Sequence, residues 1–383
     1  MKRYKKTLFF ICIFLLIFII KPVIKVYAAE DETVISLDYF MDESDLEEMQ
    51  QILDENLVGV DFQIDNFIRK IWKGEIELSG ENIIKEIQKN IEQELENNRK
   101  LWLQCFLIVV AAGIFTNFSM VFKNGQVGET GFYISYLFLF TILLGAFYSI
   151  FTMVERSVSL LLIFMKALLP VYFLMMAGTN GASVATPMYQ SSLWIIGVLE
   201  VVIGKVILPA IEIFFVLSLI NQFSKEDKLS KLTEFLESII RWGLKGSMGV
   251  VLGLHSIEVM LLPAIGKVKQ NAIIKTGSAI PVFGDTFESV TETVYGIASL
   301  LKNAVGVTGI IGILLLCAAP VIKIFVYTIV YKAGTAILQP ISEKRIWNCL
   351  SGVASTSSLL LYLELMCVLL FCITIIILAK GTG

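Results

Sequence analysis

Residues 199–215 read LEVVIGKVILPAIEIFF, a hydrocarbon run whose only ionisable groups are Glu200, Lys205 and Glu212. A stretch this apolar suits lipid, yet an isolated charge at the centre of a bilayer costs about 2.5–3.5 kcal/mol even on lenient insertion scales. The three groups therefore have to face a bundle interior, a wet cavity or one another. Lys205 and Glu212 are seven residues apart, on one helix face but two turns from each other, too far for a direct bond. Pro209 between them lacks an N–H, frees the carbonyl one turn earlier and invites a kink.

The rest of the chain has the same character. Of 383 residues, 56% are hydrophobic and only 17% charged, with mean hydropathy +0.76, well outside the range of soluble domains. This composition specifies an all-α, polytopic membrane protein. Apolar runs of bilayer length occur at about 101–122, 132–154, 157–177, 193–219, 242–262, 305–331 and 359–379, giving about seven candidate spans in a membrane region at 101–383.

Charge is distributed unevenly. Residues 1–29 hold six Lys/Arg and no acid, whereas residues 30–100 hold 20 Asp/Glu against 7 Lys/Arg. Lys2, Arg3, Lys5 and Lys6 precede an apolar run at 7–20, and Val26-Tyr27-Ala28 offers a small-residue cleavage site, the pattern of a cleaved signal peptide. The acidic segment 30–100 would then be exported. Ile84, Ile87, Ile91 and Leu95 give it an apolar helical face, so we expect helices rather than a solvated spacer. Cys12, Cys105, Cys317, Cys349, Cys367 and Cys372 avoid this segment and lack metal-ligand spacing, which argues for packing rather than disulfide or zinc chemistry.

Two connectors read as amphipathic helices: one carries Leu229, Leu232, Leu236 and Ile239, the other Phe283, Phe287, Val290, Val294, Ile297 and Leu301. The uncharged stretch AGTNGASVATPMYQSS at 177–192 suits either a re-entrant loop or a neutral turn between helices. Gly246, Gly249 and Gly253 fall three or four apart and predict a tight helix crossing.

Further ionisable groups fall within apolar runs: Lys166, Lys245, His255 with Glu258 three residues on, Lys323 and Glu364. Acids and bases occur in similar numbers, so we expect them to lock helices together or line a cavity. No HExxH, Walker lysine loop, GxSxG elbow or dinucleotide fingerprint is present, so no catalytic, cofactor or metal residue can be named. No basic, aromatic-studded surface points to nucleic acid. The expected contact is membrane lipid.

The stretches LLPVYFLMMAGTNGASVATPMYQ at 168–190, KTGSAIPVFGDTFESVTETVYGIASLLKNAVGVTG at 275–309 and AILQPI at 336–341 resemble stage III sporulation protein AE of endospore-forming Firmicutes. The order of export signal, acidic segment and multispan region also matches, and the resemblance covers essentially the whole chain. It implies a role and not a reaction. Proteins of this family are encoded in the third-stage A operon and made in the mother cell during engulfment. They join an ATPase, ring-forming subunits and, through these, the forespore protein Q in a trans-envelope complex. By likeness to specialised secretion systems, this member would be a platform or export-gate component in the mother-cell membrane around the forespore, with no enzymatic activity. Pro281, Gly284, Asn303, Gln339 and Pro340 match the family and read as architectural. Pro281 and Gly284 bound a turn, and Gln339-Pro340 ends a helix.

One tension stands. Seven simple crossings with an exported N-terminal segment place Arg156, Lys225, Lys228, Lys231, Arg241, Lys332, Lys344 and Arg345 outside, against the positive-inside tendency. Lys123, Lys267, Lys269, Lys275, Lys302 and Lys380 then fall in the cytoplasmic connectors. A re-entrant early segment would relieve this conflict. The competing function class is a self-sufficient secondary transporter using Glu200, Lys205, Glu212 and Glu258 as coupling groups, although no convincing internal repeat supports it.

Overall fold

The computed structural model describes residues 43–57, 62–72, 126–223, 229–277, 284–340 and 344–380, with single positions at 103, 107, 110 and 114. Side chains are described for these except 126–135, 258–298 and a few helix-end positions. The leader, the apolar stripe at 84–95, most of the run 101–122, Pro281 and Phe283 lie outside the described residues.

Every described element is helical, as hydrocarbon surroundings require of a segment that must satisfy its own backbone polar groups. The order is α1 (Glu43–Asn56), α2 (Ile64–Trp72), α3 (Gln126–Asn180), α4 (Ala182–Val201), a π-helical segment (Val202–Ile207), α5 (Leu208–Phe223), α6 (Ser230–Gly277), α7 (Gly284–Leu338) and α8 (Lys344–Lys380). Four described stretches are long and apolar enough to cross a membrane: Tyr136–Thr179, Ala182–Asn221, Ser299–Ile337 and Ile346–Ala379.

The apolar runs do not map one to one onto these helices. Runs 132–154 and 157–177 lie in α3 without a break, because Glu155 and Arg156, which divide them in sequence, point outward and disturb no backbone bond. The amphipathic connector at 229–239 likewise continues without interruption into the run 242–262, both within α6 apart from Leu229, which lies in the turn before it. Lys302, read as part of a connector, is buried on α7.

The neutral stretch 177–192 takes the form of a turn between helices. α3 continues to Asn180, Gly181 adopts a φ of 77°, and α4 begins at the next residue. Gly181 N–H donates to the Ala177 carbonyl at 3.0 Å, and its own carbonyl accepts from Val184 and Ala185, so one residue both closes α3 and opens α4. Phe173 and Tyr189 then meet at 5.1 Å between centroids as α4 folds back along α3.

The core forms where α3, α7 and α8 converge. A Cβ on Gly312 would stand 2.6 Å from Phe164 Cζ, and one on Gly309 2.8 Å from Leu168 Cδ2, so the backbone of α7 lies directly against side chains of α3. A Cβ on Gly306 would meet Tyr172 at an ordinary contact distance of 3.5 Å, and the opposed numbering shows that the two helices run antiparallel there. Gly352 of α8 lies as close to Ser218 of α5 as Gly312 does to Phe164. Phe147 stacks on Phe215 with centroids 3.7 Å apart, fastening α3 to α5, and the Tyr136 hydroxyl donates to the Leu219 carbonyl at 2.7 Å.

The short helices α1 and α2 form a hairpin docked on α3 and α7 through Leu46, Met49, Leu53, Ile64, Ile68 and Ile71, all buried. Gln50 closes its linker, donating to the Phe62 carbonyl at 3.0 Å and accepting from Ile64 N–H at 2.8 Å.

Phe164 and Leu168 are fully enclosed, so Gly312→Ala and Gly309→Ala should each destabilise the fold by about 1–3 kcal/mol through overpacking. Gly145, with open space around its Cβ position, serves as the control, and Gly145→Ala should not destabilise. Thermal unfolding of the detergent-solubilised chain reads the difference. An unchanged midpoint for Gly312→Ala would deny the contact with α3.

Candidate functional site

The stretch around Lys205 folds as a wider turn. Leu208 N–H bonds to the Ile203 carbonyl, five residues back rather than four, within the π-helical segment. Pro209 has no N–H to offer the Lys205 carbonyl, and the π turn takes up that mismatch where the sequence predicted a kink. Lys205 and Glu212 are both exposed, and neither makes an ion pair among the described residues.

The other acid of this stretch does find a partner. Lys166 Nζ of α3 lies 2.8 Å from Glu200 Oε2 of α4, with side chains 43% and 51% exposed. They are separated by 34 residues, and the reversal at Gly181 brings them to one height. The pair ties α3 to α4 on the outside of the bundle.

Two further contacts lie inside. Glu364 of α8 is buried against Ser157 of α3, whose hydroxyl donates to one carboxyl oxygen, while Oε2 has no hydrogen-bond partner. His255 of α6 is also buried, with Nε2 3.2 Å from Thr374 Oγ1 of α8. The Thr374 hydroxyl donates to the Leu370 carbonyl at 2.9 Å, so its oxygen accepts and His255 Nε2 carries the proton.

The remaining positions are dispersed. Lys245 is exposed on α6, Lys323 and Asn303 are half-buried on α7, and Glu258 lies on α6 with its side chain outside the described set. Gly284 opens α7, which closes where Gln339 N–H donates to Thr335 O at 3.0 Å and Gln339-Pro340 forms an exposed turn. Cys317, Cys349, Cys367 and Cys372 are buried free thiols.

The glycines expected at a tight crossing behave differently. Gly246, Gly249 and Gly253 are exposed, and a Cβ on any of them would meet nothing within 4 Å. The close crossing within the chain uses Gly309, Gly312 and Gly352 instead, and the three-residue spacing of Gly306, Gly309 and Gly312 was the signal that could have marked it.

Among the described residues, the ionisable groups thus form separate helix-to-helix contacts, while Lys205, Glu212 and Lys245 are exposed. Among the described residues, no nucleophile, base and electrophile converge, and no three metal-ligating side chains gather. The arrangement joins helices and presents charge at the surface.

The profile of a family described as stage III sporulation protein AE matches residues 62–382, which takes in every described helix from α2 onward. Among curated proteins, the chain is similar to Stage III sporulation protein AE of Bacillus subtilis (strain 168), with 26% identity over 284 residues covering 74% of this chain and 71% of that protein. No solved structure matches.

Replacing Glu364 by Gln keeps a group able to meet Ser157, whereas Glu364→Ala leaves a cavity and an orphaned hydroxyl. Glu364→Ala should therefore lose about 2–4 kcal/mol and Glu364→Gln under about 1 kcal/mol in detergent unfolding. For the half-exposed Lys166–Glu200 pair, a double-mutant cycle should return a coupling of about 0.2–1 kcal/mol. A coupling of zero would mean that the pair does not tie α3 to α4.

Proposed function

This chain belongs to the stage III sporulation protein AE family, and from that premise we propose that it is an integral-membrane platform, or export-gate-like component, of the secretion complex linking mother cell and forespore. The complex is needed for forespore development after engulfment, and the chain would sit in the mother-cell membrane surrounding the forespore. In this proposal, residues 1–29 act as a cleaved export signal and the acidic segment 30–100 stands outside, with α1 and α2 docked onto the membrane helices. The partners are other proteins of the third-stage A operon, including the ATPase and ring-forming subunits, and through them the forespore protein Q.

The observation that supports this reading is charge on the outward face of the apolar helices. On α3, Glu155 and Arg156 are exposed in line with Leu137, Phe138, Leu144, Tyr148, Ile163 and Leu174, so the outward face of the candidate span Tyr136–Thr179 is not continuously apolar and asks for protein or water beside it. Lys205 and Glu212, exposed on apolar helices and making no ion pair among the described residues, make the same demand, because such groups avoid lipid and face protein or water. A subunit embedded among partners satisfies both conditions.

Affinity capture of the tagged full-length chain from sporulating cells in mild detergent tests this proposal. Mass spectrometry should identify the operon's ATPase and ring-forming subunits. Recovery of the chain alone, repeated after crosslinking, would overturn the platform reading. Attention would then turn to a self-sufficient carrier, assayed in vesicles with Glu200→Gln and Glu212→Gln.

A further inference from the structure

Contacts between helices bring ionisable residues from five of them to one height. Ser157 of α3 meets Glu364 of α8, and eleven residues further along each helix Leu168 and Ile375 converge on Gly309, so α3 and α8 rise together. α7 runs the other way, with Gly312 on Phe164, which sets Lys323 level with about residue 153 of α3. α4 and α5 also descend along α3, from the Lys166–Glu200 pair to the stack of Phe147 on Phe215, so Lys205 and Glu212 lie level with about residues 160 and 151. α6 rises past Ile207 at Gly243 and past Thr374 at His255, which sets Arg241 and Lys245 close to the same height. Glu155 and Arg156 of α3 complete the layer. It is about 15 Å deep, and Glu155, Arg156, Lys205, Glu212 and Lys245 within it are exposed.

Apolar helix lies on both sides of this layer, but the two sides are not alike. Toward the Gly181 turn, residues 157–179 of α3, 182–204, 303–320 of α7 and 365–379 of α8 hold two ionisable groups, Lys166 and Glu200, which bond to each other. α6 adds His255, buried against Thr374, and Glu258 one turn further on. On the other side, α6 carries Lys231, Glu234 and Glu237 within two turns, and α7 carries the exposed Lys332. A charge in hydrocarbon is costly, whereas one at the headgroup level meets water and phosphate. From Val158 to Gly178, α3 rises about 30 Å, the thickness of a hydrocarbon core. Trp242, 77% exposed beside the layer, is of a residue type that favours the membrane–water interface.

We propose that this layer meets the headgroup plane of the membrane: the half of the bundle toward Gly181 lies in hydrocarbon, Arg156, Lys205 and Lys245 face lipid phosphate, and the other half stands outside the lipid. A bilayer centred on the layer would hold five exposed ionisable side chains at its middle. A bilayer around the opposite half would immerse Lys231, Glu234, Glu237 and Lys332 instead. With the boundary at the layer, α3 and α7 cross lipid with one part of their length and continue beyond it with the rest. The exposed apolar residues of the outer part, among them Leu137, Leu144 and Ile220, then need protein against them. Only that last step rests on the platform reading; the height of the boundary is set by contacts within the chain.

Nitroxide labels on the full-length chain, reconstituted alone into vesicles of phosphatidylcholine and phosphatidylglycerol, test the boundary. Collision of each label with oxygen, which concentrates in hydrocarbon, is compared with collision with a polar nickel chelate. Ile163→Cys and Trp194→Cys, exposed on the Gly181 side, should give an oxygen-to-nickel ratio at least tenfold above Leu144→Cys and Ile220→Cys, exposed on the other. Lys205→Cys should fall between them, and the unsubstituted chain sets the labelling background. A label covered by protein meets neither reagent and shows no preference for oxygen. A lipid-like ratio at Leu144→Cys and Ile220→Cys would overturn the proposal. So would a ratio at Lys205→Cys equal to that at Ile163→Cys, or a polar ratio at Ile163→Cys and Trp194→Cys. No partner protein is present, so failure here is distinct from failure of the capture that tests the platform reading.

Discussion

The architecture depends on how closely α7 approaches α3. In lipid the hydrophobic effect does little to bring apolar helices together, so their association rests on contact between surfaces. At Gly309 and Gly312 that contact is backbone against the enclosed side chains of Leu168 and Phe164, and Ile375 of α8 reaches the same place. Three helices are therefore positioned by residues that contribute no side chain of their own. The contacts of Ser157 with Glu364 and of Lys166 with Glu200 depend on α3 being held in that position.

Much of the class was legible before any coordinates. Composition and run length specify apolar helices, and the low charge density leaves no route to a soluble domain. The boundaries were less legible, for a physical reason that α3 shows. Glu155 and Arg156 look like a break in a hydropathy trace, but a helix interior tolerates them provided they point outward. The pairing of Lys166 with Glu200 could not be read either, since it depends on a reversal compressed into Gly181. Glycine spacing was visible in both α6 and α7. Spacing alone does not say whether a small residue sits at a helix contact: in α7 it does, and in α6 the same kind of spacing lies on an exposed face.

The ionisable residues divide along the same line. Glu364 and His255 are enclosed and matched to hydroxyl groups of Ser157 and Thr374, which stitch α8 to α3 and α6. Lys205 and Glu212 face outward from helices too apolar to hold them in lipid unaided. The enclosed pair of contacts joins helices within the chain, whereas the exposed groups face away from it.

The π-helical segment has a consequence for chain length. Leu199, Ile203, Ile207 and Ile211 are all buried at intervals of four, about one residue more over three turns than an α-helix allows. The segment therefore stores one surplus residue without turning either flank. Removing a residue between 202 and 206 would leave an ordinary helix with the same sides of α4 and α5 facing inward. Removing one elsewhere in α4 or α5 would rotate everything beyond it by about 100°, carrying residues such as Phe214 and Phe215 away from the core. Along this continuous helical stretch, relatives of different length should differ at this point, where an insertion or deletion leaves the fold in phase.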